Sequence, residues 1–137
     1  MGHSPAPDES PVCACCGSPA VIFQRQSGRH ICAAHFIQDI ESRVAATIRE
    51  KQLVQDGDRI AVALSGGKDS TALLCTLSRL LPSWPGASLV AITVDEGIAG
   101  YRQDTIRAAA SLTQRFSVEH RIVSFTDLVG DDLDTIL

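Results

Sequence analysis

No apolar run in this chain approaches the roughly 18 consecutive residues of a membrane-spanning helix, so no span and no membrane partner are expected. The opening residues, MGHSPAPDESP, lack the basic segment and apolar stretch of a secretory signal. They read as a disordered polar tail over residues 1–11, with His3 part of it. An excess of positive charge is also missing. A net charge of −4 over 137 residues argues against a uniformly basic nucleic-acid binder. Five cysteines without a secretory signal imply a reducing compartment, by default the cytoplasm, where thiols more often hold metals or catalyse than form disulfides.

What the chain does have is a globular composition, 45% apolar, with its charge unevenly placed. Between residues 24 and 51, Arg25, Arg29, Arg43, Arg49 and Lys51 outnumber Asp39, Glu41 and Glu50. Acidity collects at the other end, in Asp127, Asp131, Asp132 and Asp134, a run that reads as a solvated helix start or loop.

Residues 13–35 alternate short β-prone pieces such as Ala20-Val21-Ile22-Phe23 with the turn residues Gly17, Ser18, Pro19, Ser27 and Gly28. This unit is too small to bury a core of its own. From Phe36 to about Lys51, Ile37, Ile40, Val44 and Ile48 recur at helical spacing and predict an amphipathic connecting helix. Gly57 then turns the chain into 59–64, an apolar run suited to a strand buried on both faces. A helix follows with Leu73, Leu77, Leu80 and Leu81 on one face and Pro82 as its stop. A strand over 88–94 ending at Asp95, a helix over about 102–115, and a strand over 118–125 complete the pattern. Alternating strands and helices with short links predict an α/β fold, part of a doubly wound parallel sheet with right-handed crossovers. The expected layout is a zinc module over 12–35, a connecting helix over 36–57 and half of a nucleotide-binding domain over 58–137.

Ser65-Gly66-Gly67-Lys68-Asp69-Ser70 falls between the first buried strand and its helix, at the sheet edge where such folds bind ligands. Two glycines let the backbone approach an oxyanion closely, and the amides opening the following helix point at it. Ser65 and Ser70 add hydroxyl donors and Lys68 a point charge, so an anion site is predicted. A Walker A loop is excluded, because it would need Gly at Val62 and Ser or Thr at Asp69. The dinucleotide fingerprint is likewise absent.

Cys13-x-x-Cys16 and Cys32-x-x-His35 make two knuckles of two ligands each, the four N/S donors of a closed tetrahedral zinc site. Metal binding would supply the folding energy this small unit lacks. Cys15 breaks the register of the first pair, and His30 is not expected to be a ligand. Cys75, inside the first βα helix, reads as a small buried apolar residue, and His120 as a surface residue.

The six residues SGGKDS match in full the PP-loop of N-type ATP pyrophosphatases, SGGxDS. With the knuckles, the helix, the loop and then Asp95-Glu96-Gly97-Ile98-Ala99-Gly100-Tyr101-Arg102, in that order, the chain resembles the tRNA 2-thiouridine synthetases of the thermophile T-loop and cytosolic wobble-uridine type. The resemblance spans nearly all of the chain after the tail. It implies ATP-dependent adenylation of a uridine 2-oxygen in tRNA, followed by displacement of AMP by a sulfur donor. It implies that Ser65, Gly66, Gly67, Lys68, Asp69 and Ser70 hold the phosphates, usually with Mg²⁺, and that adenosine lies near Ala63 and residues 92–94, Thr93 among them. Lys68, Asp69 and Asp95 are the implied catalytic residues. Arg25, Arg29 and Arg43 are the candidate tRNA contacts. Glu96, Gly97 and Gly100 are read equally as turn formers with a helix N-cap or as substrate contacts. A homodimer and a sulfur-carrier protein or sulfide donor are the implied partners.

The family also uses an inner cysteine pair and a later third cysteine, which hold a 4Fe-4S cluster or carry persulfide, and a second zinc site. None of these is present in these 137 residues. The strand at 60–64 would be left with an unpaired edge, which reads as truncation and predicts no complete reaction from this stretch alone. Two further readings stand beside this one. The first is a non-catalytic module that binds zinc, nucleotide and tRNA. The second is another PP-loop enzyme, such as a lysidine synthase or an amidating synthetase, which the knuckles disfavour.

Overall fold

The computed structural model describes residues 10–97 and 102–129, which fall into two compact units dividing after Thr47. The tail, the Ile98–Tyr101 part of the motif after the second βα strand, and the acidic residues Asp131, Asp132 and Asp134 lie outside the described residues.

In the first unit, β1 (Ile22–Gln24) and β2 (Arg29–Ile31) pair as an antiparallel hairpin with Phe23 opposite His30. Helix α1 (Ala33–Glu50) follows at once, starting three residues before the expected Phe36 and continuing into the second unit. The core of the first unit is Cys13, Ile31 and Cys32, with Phe36 packed against them. So small a core cannot offset the entropy of ordering the segment without a further cross-link. The apolar stripe of α1 is less buried than its periodicity suggests, because Ile37 and Ile40 are exposed and only Ile48 is buried.

In the second unit, β3 (Arg59–Ala63), β4 (Ser88–Asp95) and β5 (Glu119–Ser124) form a parallel sheet in the order β3-β4-β5. Register is continuous, with Ala63 opposite Ile92 and Ala91 opposite His120. The crossovers are α2 (Lys68–Leu80) and α3 (Arg102–Arg115), and a short α4 (Phe125–Val129) follows β5. Pro82 sits in a 3₁₀ turn, Leu81–Ser83, that closes α2 as expected of a residue without an amide hydrogen. The core comprises Val62, Leu64, Leu74, Leu77, Leu89, Val90, Ala91 and Ala109, an α/β packing of helices on the parallel sheet.

Two side-chain expectations are corrected. Leu73 is 46% exposed, and the buried positions of α2 are Leu74 and Leu77. Residues 73 and 77 share a helical face with 74 between 77 and its neighbours, so a one-residue rotation of the buried stripe leaves the periodicity intact. His120 is half-buried in β5 rather than at the surface, because the sheet continues through it. Cys75 is half-buried.

Candidate nucleotide and metal sites

Strand β3 ends at Ala63, and Leu64 extends its pairing by one residue, its amide donating to the Ile92 carbonyl at 2.8 Å. The chain then turns through Ser65, Gly66 and Gly67 into α2. Gly66 adopts φ +82°, a left-handed conformation that side chains disfavour. A β-carbon there would stand 2.6 Å from Thr105 Cγ2, so the loop needs glycine for space as well as for conformation. The loop is bound to itself by Ser70. The Ser65 amide donates to Ser70 Oγ at 3.2 Å, and the two serine hydroxyls lie 3.1 Å apart. The Gly67 amide donates to Ser65 Oγ at 3.4 Å. Gly67 caps α2 without a side-chain hydrogen bond, leaving the first helical amides directed outward at the positive end of the helix dipole. A helix opening in this way favours a phosphate oxyanion.

Beside the loop, at the carboxyl ends of β3 and β4, lies a cavity of about 370 Å³. Ala63, Ser65, Gly67, Thr93 and Asp95, all expected in the site, line it, together with Glu96. Asp95 is buried at the end of β4, and its Oδ1 accepts from the Gly97 amide at 3.1 Å. Gly97 has φ +77°, so this glycine forms a turn around the aspartate. Lys68 and Asp69 stand in solvent beside the loop, with Nζ and Oδ1 3.0 Å apart. Thr93 is buried, and its hydroxyl is engaged by Leu64 and His120. Thr105 and Ile106 of α3 complete the wall and were missed by sequence reasoning, since nothing in their spacing marks them out from the rest of an ordinary helix.

In the first unit the ligand atoms of Cys13, Cys16, Cys32 and His35 all lie within 4.8 Å of one another. Cys16 Sγ is 3.8 Å from Cys32 Sγ, and His35 Nδ1 is 3.6 Å from Cys13 Sγ and 3.3 Å from Cys32 Sγ. A tetrahedral zinc ion, with bonds of about 2.3 Å to sulfur and about 2.0 Å to nitrogen, would hold its ligand atoms about 3.5–3.8 Å apart. The donor set and the spacing therefore fit a metal ion. Burial works to raise the Cys13 thiol, but the backbone amides of Cys32, Cys15 and Cys16 and the Cys16 side chain outweigh it and hold Cys13 at about 6, against an ordinary 9.0. Cys32 moves the other way. The His35 backbone works to lower it, and burial together with the neighbouring Cys13 and Cys16 sulfurs pushes it up from 9.0. Sulfurs crowded enough to oppose each other's ionisation are relieved by a shared cation.

Cys15 is exposed and outside the group, its amide donating to Cys13 Sγ at 3.4 Å. His30 is also outside it, its ring 4.9 Å from that of Phe23. With Cys13, Cys16 and Cys32 in this group, only Cys15 and Cys75 are left among the five cysteines, fewer than the three a 4Fe-4S cluster would need. Of the candidate tRNA contacts, Arg25 and Arg29 are exposed on the hairpin. Arg43 is bound to Asp39 at 3.1 Å and to Gln26 at 2.8 Å.

Residues 27–135 match a protein family described as PP-loop domain. A probable sulfurtransferase of Methanocaldococcus jannaschii is 34% identical over 89% of this chain and 36% of its own length. The tRNA 2-thiolation protein NcsA of Haloferax volcanii is 34% identical over 91% of this chain and 41% of its own. Among solved structures, the U34-tRNA thiolase NcsA from Methanococcus maripaludis, with its 4Fe-4S cluster, superposes with a TM-score of 0.80 and 36% identity, covering 92% of this chain and 42% of that one. The chain thus spans about two fifths of the length of the relatives it matches. By the extent of the match and the loop that underlies it, the chain belongs to the PP-loop domain family.

Proposed function

We propose that this chain carries the nucleotide-binding part of an enzyme that thiolates a tRNA uridine at its 2-position with the energy of ATP. The observation that carries the reading is the cavity at the carboxyl ends of β3 and β4, bounded by Ser65, Gly67 and Asp95, in a chain whose relatives bear tRNA-thiolation names. ATP would lie with its adenosine against Ala63 and Thr93 and its β- and γ-phosphates on residues 65–70. Gly66 and Gly67 admit the phosphates to the backbone, the first amides of α2 receive them, and Lys68 neutralises charge. Asp69 would help organise Mg²⁺, which would supply neutralisation of phosphate charge, and Asp95, at the end of β4, is the third residue proposed for the chemistry. The uridine 2-oxygen attacks the α-phosphorus and the bond to pyrophosphate breaks. Sulfide, free or delivered by a carrier protein, then attacks C2, and the C–O bond breaks as AMP departs with the oxygen. A C=S bond takes the place of the C=O bond at C2, with no net oxidation or reduction. The protein's share of the work is positioning and electrostatic neutralisation.

Zinc is the metal proposed for Cys13, Cys16, Cys32 and His35, where it would hold the first unit folded. Arg25, Arg29 and Arg43 are the proposed phosphate contacts to tRNA. The working form is read as a cytoplasmic homodimer, on the family resemblance. A second reading, a module that binds nucleotide and tRNA without chemistry, is favoured by the cysteine inventory, which offers no pair to carry sulfur. The test is to incubate the chain with ATP, tRNA and sulfide, and to follow ATP binding, AMP release and 2-thiouridine in the digested tRNA. ATP binding that Lys68→Ala weakens, with no 2-thiouridine formed by these residues alone, is the expected result. Failure to bind ATP would overturn the nucleotide reading, and robust thiolation would overturn the need for further cysteines. Salt-dependent tRNA binding without AMP release would favour the module.

A further inference from the structure

His120 lies on the third strand of the sheet, two strands away from the glycine loop, and no motif marks it. Its Nε2 is 2.8 Å from Thr93 Oγ1, and that same hydroxyl is 2.8 Å from the Leu64 carbonyl. Leu64 is 1% exposed and Thr93 2%, so the Thr93–Leu64 bond is shielded from water, while the bond to the half-buried His120 is part-buried. Direction follows from chemistry alone. A backbone carbonyl only accepts, so the single Thr93 hydroxyl proton goes to Leu64 O. His120 must then donate, which places the imidazole proton on Nε2. Burial lowers the His120 pKa below its ordinary 6.5, in keeping with a neutral ring at physiological pH. The neutral Nε2–H tautomer and the imidazolium both keep this donor, so the chain of bonds has one polarity.

Leu64 is the last residue before Ser65, and its amide is already bonded to Ile92. With Thr93 on its carbonyl, both backbone polar groups of Leu64, the residue entering the loop, are tied to β4. Gly66 and Gly67 have the freedom to make the phosphate turn and equally the freedom to leave it. A fixed entry to the loop is what restricts them.

We propose that His120 is a positioning residue for the nucleotide site, acting through Thr93 on Leu64 to hold the entry of the 65–70 loop in its anion-receiving shape. This rests on the nucleotide reading given above for its consequence, and on the sheet geometry for its mechanism. The role depends on reach. A Gln amide nitrogen extends about as far as Nε2, whereas the Asn amide nitrogen stops near the position of Nδ1. His120→Gln therefore restores the donor, and His120→Asn, also polar, does not.

The experiment uses the whole chain with His120→Gln, His120→Asn and His120→Leu. Amide hydrogen exchange is followed at Ser65 and Gly67, whose amides are bonded within the loop, and at β3 and β4 as an internal reference. ATP affinity is measured alongside. Loss of this one hydrogen bond predicts exchange at Ser65 and Gly67 about tenfold faster in the Asn and Leu variants relative to the strands, and ATP binding weakened by roughly the same factor. The Gln variant should stay near wild type in both. Equal loop exchange in the Gln and Asn variants, or acceleration spread evenly over loop and strands, overturns the proposal and leaves His120 a packing residue. Should His120→Leu not fold, the Gln and Asn pair decides the matter. If the unaltered chain fails to bind ATP, the nucleotide reading falls while the exchange contrast still decides the relay.

Discussion

Gly66 carries two demands at one position, a left-handed φ of +82° and a close approach to Thr105. A methyl group at Gly66 would meet Thr105 Cγ2 at 2.6 Å, with the Thr105 backbone oxygen at 3.3 Å beyond it, so the side chain cannot yield freely. Gly66→Ala is expected to cost about 1–3 kcal/mol of stability and to weaken ATP binding. Thr105→Ser in the same chain should return only part of that loss, since it removes the methyl contact and leaves the backbone strain. Urea unfolding of the single and double variants checks both statements. A Gly66→Ala chain as stable as wild type would show that the loop has another conformation open to it. The need for glycine at position 66 was legible in the sequence, as the motif itself. Its neighbour Thr105 was not, because it comes to the loop from 39 positions away on a helix whose spacing announces only an apolar face.

At the scale of elements, α2 shows what periodicity fixes and what it leaves open. Leu73, Leu77, Leu80 and Leu81 predict an amphipathic helix with those four on its apolar face. The sheet decides that Leu74, at 0% exposure, and Leu77 are the inner ones, and that Leu73 is not. Leu74→Ala is therefore expected to cost about 2–5 kcal/mol, and Leu73→Ala to stay within about 0.5 kcal/mol, as read from chemical denaturation. Comparable costs for the two would contradict the packing described. The three strands behave similarly. Their apolar runs and turn signals were readable, and so was the parallel arrangement, since each link contains a helix. The hydrogen bonds that join β5 to the loop through Thr93 were invisible, because they depend on a register that only pairing sets.

For the whole molecule, the division after Thr47 separates a unit with a candidate metal site and a small core from one with a larger packed core. The first unit has a core of three buried residues and one partly buried aromatic. Its stability should thus follow its metal. Removal of the metal with a chelator, or Cys32→Ser, is expected to abolish amide protection over β1 and β2 and to release about one equivalent of zinc, while β3 and β4 keep their protection. Metal analysis and residue-resolved exchange give the answer. Unchanged protection of β1 and β2 after metal loss would mean that packing suffices there. Sequence spacing had named the four side chains that the structure brings together, since two CxxC-type turns leave little choice of geometry.

The sequence by itself determined which residues make up this protein's two candidate sites, SGGKDS for an anion and the Cys13, Cys16, Cys32 and His35 knuckles for a metal. Both are local, and a short motif carries its own geometry. It also determined the order of strands and helices, through the period of its apolar residues. Tertiary structure alone decided which leucine is buried, which helix closes the cavity over the loop, and that a histidine two strands away is bonded toward it. These are contacts between segments far apart in the chain, and their partners are chosen by sheet register and helix placement rather than by any pattern along the chain.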